Sequence, residues 1–235
     1  MGANKSDKKV LLFIVEGVHD QAALALPLEN LQKSHSPNKL IQLGFTNGDI
    51  TTDNNVRDVK KEIERCAENY RKEYRLLKKD ICKIVLLLDM DGAYIDAGAI
   101  IENDQYQKPH YGRTTILHDR PELLRKTHER KRDRLKTLLA LDSVWNGKPF
   151  GVYFVSCNFD HVACGDANTK NKGTVADNFA DKFMKDADGL RAFFSEPSLI
   201  LGTTYETSWD AIKQGSNSLR RHSNMNVFID AHYPI

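Results

Sequence analysis

Val10-Leu11-Leu12-Phe13-Ile14-Val15-Glu16-Gly17-Val18-His19-Asp20 and, further on, Ile84-Val85-Leu86-Leu87-Leu88-Asp89-Met90-Asp91-Gly92 are the two stretches on which the reading of this chain turns. Each opens as a short run that is apolar at every position, the pattern of a strand buried on both faces. Each closes in carboxylates. Strands covered on both sides belong to parallel sheets flanked by helices, and open sheets of that kind keep their chemistry at the carboxyl ends of their strands. Glu16, Asp20, Asp89 and Asp91 are therefore expected at one mouth. Carboxylates gathered there repel unless a cation or a shared proton holds them. A hard divalent ion that prefers oxygen, Mg2+ or Mn2+, meets that need.

Working outward from these runs, residues 21–31 suit a helix packed on the sheet, in which Pro27 predicts a kink or an early stop. Ser36-Pro37-Asn38 reads as a turn and residues 39–45 as a second strand, with a further turn over 46–49. Between residues 55 and 79, Val56, Val59, Ile63, Cys66, Tyr70, Tyr74 and Leu77 recur at helical spacing and predict an amphipathic helix on the sheet. Residues 81–88 form the third strand. Residues 93–115 follow no clear period, and 121–141 read as a long, very basic helix. Residues 152–156 form a fourth strand and 165–173 a loop, while 174–186 and 208–221 read as helices. Residues 1–9 are a polar, basic start. This order predicts an α/β fold with a mainly parallel sheet of four or more strands flanked by helices. It is expected to be one domain over 1–235, with a core at about 9–92 and 149–165, a helical basic insertion at about 93–148 and a helical C-terminal part at about 166–235.

The chain has 235 residues and is 40% hydrophobic, enough for a real core, with a formal charge of only +2. Its apolar runs are far shorter than the roughly 20 residues that cross a bilayer, and no signal-peptide pattern opens it. Its four cysteines, Cys66, Cys82, Cys157 and Cys164, have neither disulfide-scaffold nor zinc spacing, so a cytoplasmic protein without a membrane partner is expected. There is no Gly-x-x-x-x-Gly-Lys-Ser/Thr loop, which argues against ATP hydrolysis by this chain.

In the Asp89-Met90-Asp91 stretch, alternate side chains share one side, so both carboxylates can serve the same ion. Glu16, from a neighbouring strand about 5 Å away, can reach that ion or act beside it as general acid or base. Asp20, four residues past Glu16, can add a ligand or cap the following helix. Glu16-Gly17-Val18-His19-Asp20 after one strand, with Asp89-Met90-Asp91 after another, resembles the TOPRIM domain of topoisomerases, primases and OLD-type nucleases. The resemblance implies Glu16 as the proton-handling residue and Asp89 and Asp91 as metal ligands. The Glu-x-x-x-Asp spacing is similar to the nuclease branch and implies Asp20 as a further ligand. Ser156-Cys157-Asn158-Phe159-Asp160 also resembles a stretch of RloB-like stand-alone TOPRIM proteins of prokaryotic defence loci, although the proline of that stretch is absent and Asp160 stands where that family has a glutamate. That likeness implies Asp160 as another ligand. It also implies an antiviral-defence endonuclease that works with a separate ATPase sensor, and a homodimer is a further expectation. OLD-type relatives are also expected to use a late basic residue; Lys170, Lys172 and Lys213 are the candidates.

The segment Asp119 to Lys136 carries eight Lys/Arg against four acids, a net of +4. Beside a metal site, Arg125, Lys126, Arg130, Lys131, Arg132 and Arg134 are the expected contacts to RNA or DNA phosphates. A solvated helix face laced with ion pairs explains the same pattern. Two other functions stay open. Asp89-Met90-Asp91-Gly92 also resembles the Asp-x-Asp-Gly motif of HAD-like phosphatases, with Asp89 as nucleophile and Asp91 as acid. The chain could also be a non-catalytic nucleic-acid-binding or partner-binding module. Acidic residues at strand ends are common turn formers and caps, and for Asp20 and Asp160 that plainer role stands beside the functional one.

Overall fold

Successive side chains of a strand point to opposite faces, and in this protein both faces find apolar cover. On β1 (Lys9–Val15), Leu11, Phe13 and Val15 join one buried cluster while Val10, Leu12 and Ile14 join another. This is why the run is apolar throughout and not alternating. The computed structural model describes residues 9–35 and 41–233. After β1 come α1 (Val18–His35), β2 (Ile41–Asn47), α2 (Val59–Glu73) and β3 (Ile81–Asp89). Three short strands follow, β4 (Ile100–Glu102), β5 (His110–Tyr111) and β6 (Ile116–His118), then α3 (Pro121–Leu139), β7 (Ser143–Val144) and β8 (Lys148–Ser156). The chain ends through α4 (Phe159–Cys164), α5 (Lys172–Phe183), α6 (Ala187–Phe194), α7 (Tyr205–Ile212), β9 (His222–Ser223) and α8 (Met225–His232).

The main sheet runs β2-β1-β3-β8, all parallel. β7 pairs antiparallel with the start of β8, and β9 with its end. One face is covered by residues of α1, α5, α6 and α8, the other by residues of α2, α3 and α7. The fold is thus α/β, with a mostly parallel mixed sheet flanked by helices, as the two apolar runs predict. β4, β5 and β6 form a small separate sheet, which gathers Ile100 and Ile116 with Ile95, Leu124, Cys157 and Leu219 into a third apolar cluster. Among the described residues, no helix is long and apolar enough to cross a membrane.

Several local expectations change. α1 runs on past Pro27 to His35, because Ala23, Leu24, Leu28 and Leu31 bury its face on the sheet and one missing N–H does not outweigh that packing. The helix expected over 208–221 stops at Ile212; Gly215, at φ 53°, turns the chain and only a short 3-10 turn follows at Asn217–Leu219. The helix expected over 174–186 is α5, which ends at Phe183, and a separate α6 follows it. The turn at Ser36-Pro37-Asn38, the first residues of the expected second strand and residues 1–8 lie outside the described residues.

The Phe13 ring, fully buried, stacks on Phe45 at 5.1 Å and meets the edge of Phe228 at 5.1 Å. It joins two strands to α8. Phe13→Ala is expected to destabilise the fold by about 3–5 kcal/mol, read from the urea-unfolding midpoint; a loss below about 1 kcal/mol would contradict this packing.

Candidate functional site

Parallel pairing fixes which side chains meet. Val15 lies opposite Leu87, and Asp89 lies opposite Val155, so the carboxyl ends of β1, β3 and β8 share one edge. The ladder continues past β3: Met90 N–H donates to Val155 O at 3.0 Å and Asp91 N–H to Cys157 O at 2.7 Å. Asp91 and Gly92 then take left-handed conformations, φ 52° and 72°, and turn the chain away. Gly92 also has no room for a side chain, since a Cβ would lie 2.6 Å from Leu219 Cδ2.

At the centre of this edge stands Lys131 of α3, only 1% exposed. Its Nζ lies 2.6 Å from Asp91 Oδ2 and 3.5 Å from Glu16 Oε1. The Tyr111 hydroxyl donates to Asp91 Oδ1 at 3.1 Å, and the Thr51 hydroxyl donates to Glu16 Oε1 at 2.9 Å. Burial opposes the charge of Asp91, but the Lys131 ammonium, which also hydrogen-bonds it, and the Tyr111 hydroxyl hold it below the ordinary aspartate value. Burial likewise opposes the charge of Lys131, and Asp91 and Glu16 keep it firmly protonated. Burial dominates at Glu16 and raises it to about 7 despite the ammonium, with Asp91 and Asp49 adding to the rise.

The second half of the site lacks such a buried cation. Asp20, in the first turn of α1, accepts the Gly17 N–H at 2.9 Å through Oδ2, reaching back as capping residues do. Asp89 Oδ1 accepts the Phe159 N–H at 2.9 Å, at the start of α4. Asp160, in the first turn of α4, pairs with Lys172 of α5 at 3.1 Å. Burial raises Asp20 to about 6, and Asp160 adds repulsion. Burial, then Asp20, Glu16 and Asp91, push Asp89 well above the ordinary aspartate value. The Lys172 ammonium is itself raised: burial opposes its charge, but Asp160, Asp89 and Asp20 outweigh that. All five acidic residues expected from the sequence therefore meet at one edge.

The basic helix behaves differently from the expectation. Arg134 donates to Thr51 O at 3.0 Å, to Asp53 O at 2.9 Å and to Val56 O. Arg130 donates to Thr52 O at 3.1 Å, Arg132 to Ala93 O at 2.7 Å, and Arg125 to Ala97 O and Ile100 O at 2.9 Å each. These guanidinium groups fasten two loops of the protein, one of which carries Thr51 to Glu16. Lys131, expected to face nucleic acid, is enclosed by the acidic pair and presents no surface for it. Of the six expected cations, Lys126 is exposed and makes no ion pair or hydrogen bond among the described residues. The buried stripe Leu124, His128, Lys131, Leu135 and Leu138 recurs at alternating spacings of four and three. That spacing was the available signal that Lys131 and His128 face inward. Burial lowers His128 to about 4, so its ring is neutral at this centre at neutral pH. Thr51 had no signal, since it reaches the site from an irregular loop, and Tyr111, on a two-residue strand, offers no periodic pattern.

Five carboxylates face two ammonium groups, and every acidic donor is a hard oxygen. The residues thus fit Mg2+ or Mn2+ by charge and donor type. They do not form a preassembled cage: among the described residues, no group of three or more His, Cys, Asp or Glu is arranged to hold a metal ion. In comparisons with known proteins, no family model matches this chain, and neither the curated proteins nor the solved structures give a match.

A carboxyl raised in the folded state keeps a proton that the unfolded chain has already lost, so Glu16 weakens the fold progressively as pH rises from 4.5 to about 7. Glu16→Gln removes that penalty. In chelator, its stability relative to the parent is expected to grow between about pH 5 and about pH 8, read by urea unfolding. A difference that stays constant across that range would contradict the raised carboxyl.

Proposed function

We propose that this chain is a divalent-cation-dependent nuclease that cleaves phosphodiester bonds in RNA or DNA. The observation that carries the reading is the convergence of Glu16, Asp89 and Asp91 from adjacent parallel strand ends, with Asp20 and Asp160 beside them and a surplus of negative charge. Asp20, Asp89 and Asp160, which Lys131 does not neutralise by direct contact, are the residues that would hold the ion. When bound, the ion supplies Lewis-acid polarisation of a phosphoryl oxygen and a more acidic water.

The chain's own residues supply the remainder. Glu16, near 7, can accept and return a proton at Oε2 at neutral pH, where general acid–base groups are most effective. Lys131 fixes the orientation of Glu16 and Asp91 with no exposed charge of its own. Lys172, half-exposed at the N-terminus of α5, can donate to a non-bridging phosphate oxygen, and is the late basic residue nearest the acidic group. The phosphatase reading draws less support. It needs Asp91 as a proton donor, whereas Lys131 and Tyr111 hold that carboxyl ionised. The ATPase sensor implied by the resemblance, and the separately expected homodimer, remain part of the proposal.

The test is incubation of the purified chain with total tRNA, single-stranded oligonucleotides and plasmid DNA in Mg2+, Mn2+ or EDTA, alone and with a candidate ATPase. Metal-dependent cleavage is expected. Glu16→Gln should slow it by about 10²–10⁴-fold while the protein stays folded by circular dichroism. Asp89→Asn should abolish the metal response. Cleavage that survives EDTA, or no cleavage of any substrate, would sink the proposal. Hydrolysis of a small phosphomonoester that Glu16→Gln leaves intact would favour the phosphatase.

A further inference from the structure

Behind Tyr111 lies a cavity of about 500 Å³ lined by Tyr111, Arg113, His161, Arg220, Arg221 and His222, among others. That volume falls within the range of small-ligand pockets. Its wall is shared with the acidic site. The Tyr111 hydroxyl reaches Asp91, and the Asn168 side chain clamps both the Tyr111 N–H and C=O at 2.8 Å each. His161 follows Asp160 in α4, and its Nδ1 accepts the Cys157 N–H at 3.2 Å. A ligand seated here is one tyrosine away from the carboxylates.

The cavity's charge differs from that of α3. Arg113 and Arg220 are exposed and make no side-chain hydrogen bond or ion pair among the described residues. Arg221 is committed to the wall, donating to Val162 O at 2.9 Å and lying over the Phe193 ring at 5.6 Å. The imidazole rings of His161 and His222 line the cavity. His222 Nδ1 is buried without a hydrogen-bond partner among the described residues. The one acid of the lining, Asp166, accepts the Asn168 N–H at 2.9 Å. Two free guanidinium groups at the rim and polar ring atoms within suit a phosphate outside and a base edge inside. Planar, bidentate guanidinium groups are the side chains best shaped for phosphate.

We propose that this cavity seats an unpaired nucleotide of a nucleic-acid strand, with Arg113 and Arg220 on its phosphates and the adjoining phosphodiester directed to the carboxylate edge. The inference rests on the nuclease reading. It adds that the substrate is single-stranded where it is bound, because stacked base pairs cannot enter a pocket of this size and a base must be splayed out to fill it.

The test is fluorescence anisotropy with labelled single-stranded RNA and DNA oligonucleotides and a fully paired duplex, in EDTA so that nothing is cleaved. The parent should bind single strands at least tenfold more tightly than duplex. Arg113→Ala/Arg220→Ala should weaken single-strand binding at least tenfold and make it less salt-dependent, with an unchanged melting temperature because neither side chain is used by the fold. Lys33→Ala/Lys78→Ala, which removes the same charge from the opposite edge of the sheet, should bind as the parent does. Parent protein that binds no oligonucleotide, equal binding of duplex, or full binding by the double arginine variant would each overturn the cavity assignment. Failure of the nuclease reading looks different: no metal-dependent cleavage, with strand binding and its dependence on the two arginines intact. RNA and DNA arms that differ name the strand the cavity prefers.

Discussion

A lysine ammonium held out of water between two carboxylates is the interaction on which the rest depends. Removing such charges from water is expensive, and a buried ion pair is tolerated only when its geometry and its further hydrogen bonds are good. Lys131 meets both conditions with Asp91 at 2.6 Å, Glu16 at 3.5 Å, and Tyr111 and Thr51 occupying other lone pairs of the two acids. The helix that carries Lys131 must therefore be held in register with the ends of β1 and β3. The arginines of that helix do this by binding loop carbonyls. Bonds between charged donors and backbone acceptors are among the stronger ones available.

This arrangement divides the acidic cluster into unequal halves. Glu16 and Asp91 share an internal cation that cannot leave without unfolding α3 from the sheet. Asp20, Asp89 and Asp160 make no direct contact with that cation among the described residues; the half-exposed Lys172 pairs with Asp160. Burial first, and then repulsion from neighbouring carboxylates, push Asp20 and Asp89 upward.

Much of the core was legible in the sequence because burial on both faces leaves a simple mark. The all-apolar runs of β1 and β3 could belong to little else, and carboxylates at their ends had to meet once the strands were parallel neighbours. The basic helix was legible as a helix but not in its role. Charge counting treats every Lys and Arg as solvent-facing, whereas four arginines of α3 bind loop carbonyls and Lys131 lies on the buried stripe itself. Residues that enter from irregular segments, Thr51 and Tyr111, carry no period, and their place depends on contacts remote in sequence. The early stop allowed for at Pro27 fails for a related reason: a local rule about one N–H was outweighed by the packing of a whole helix face.

The segment between β3 and β8 resembles an insertion when the chain is read in order, an ornament on a compact sheet. Lys131 and Arg134 make that description inadequate. Without that segment the edge would bring like charges together with no buried cation to offset them, and the loop bearing Thr51 would lose its anchor. Core and insertion are therefore not separable modules. In any chain built on this plan, the long excursion and the acidic strand ends are expected to be inherited, lost and transplanted together.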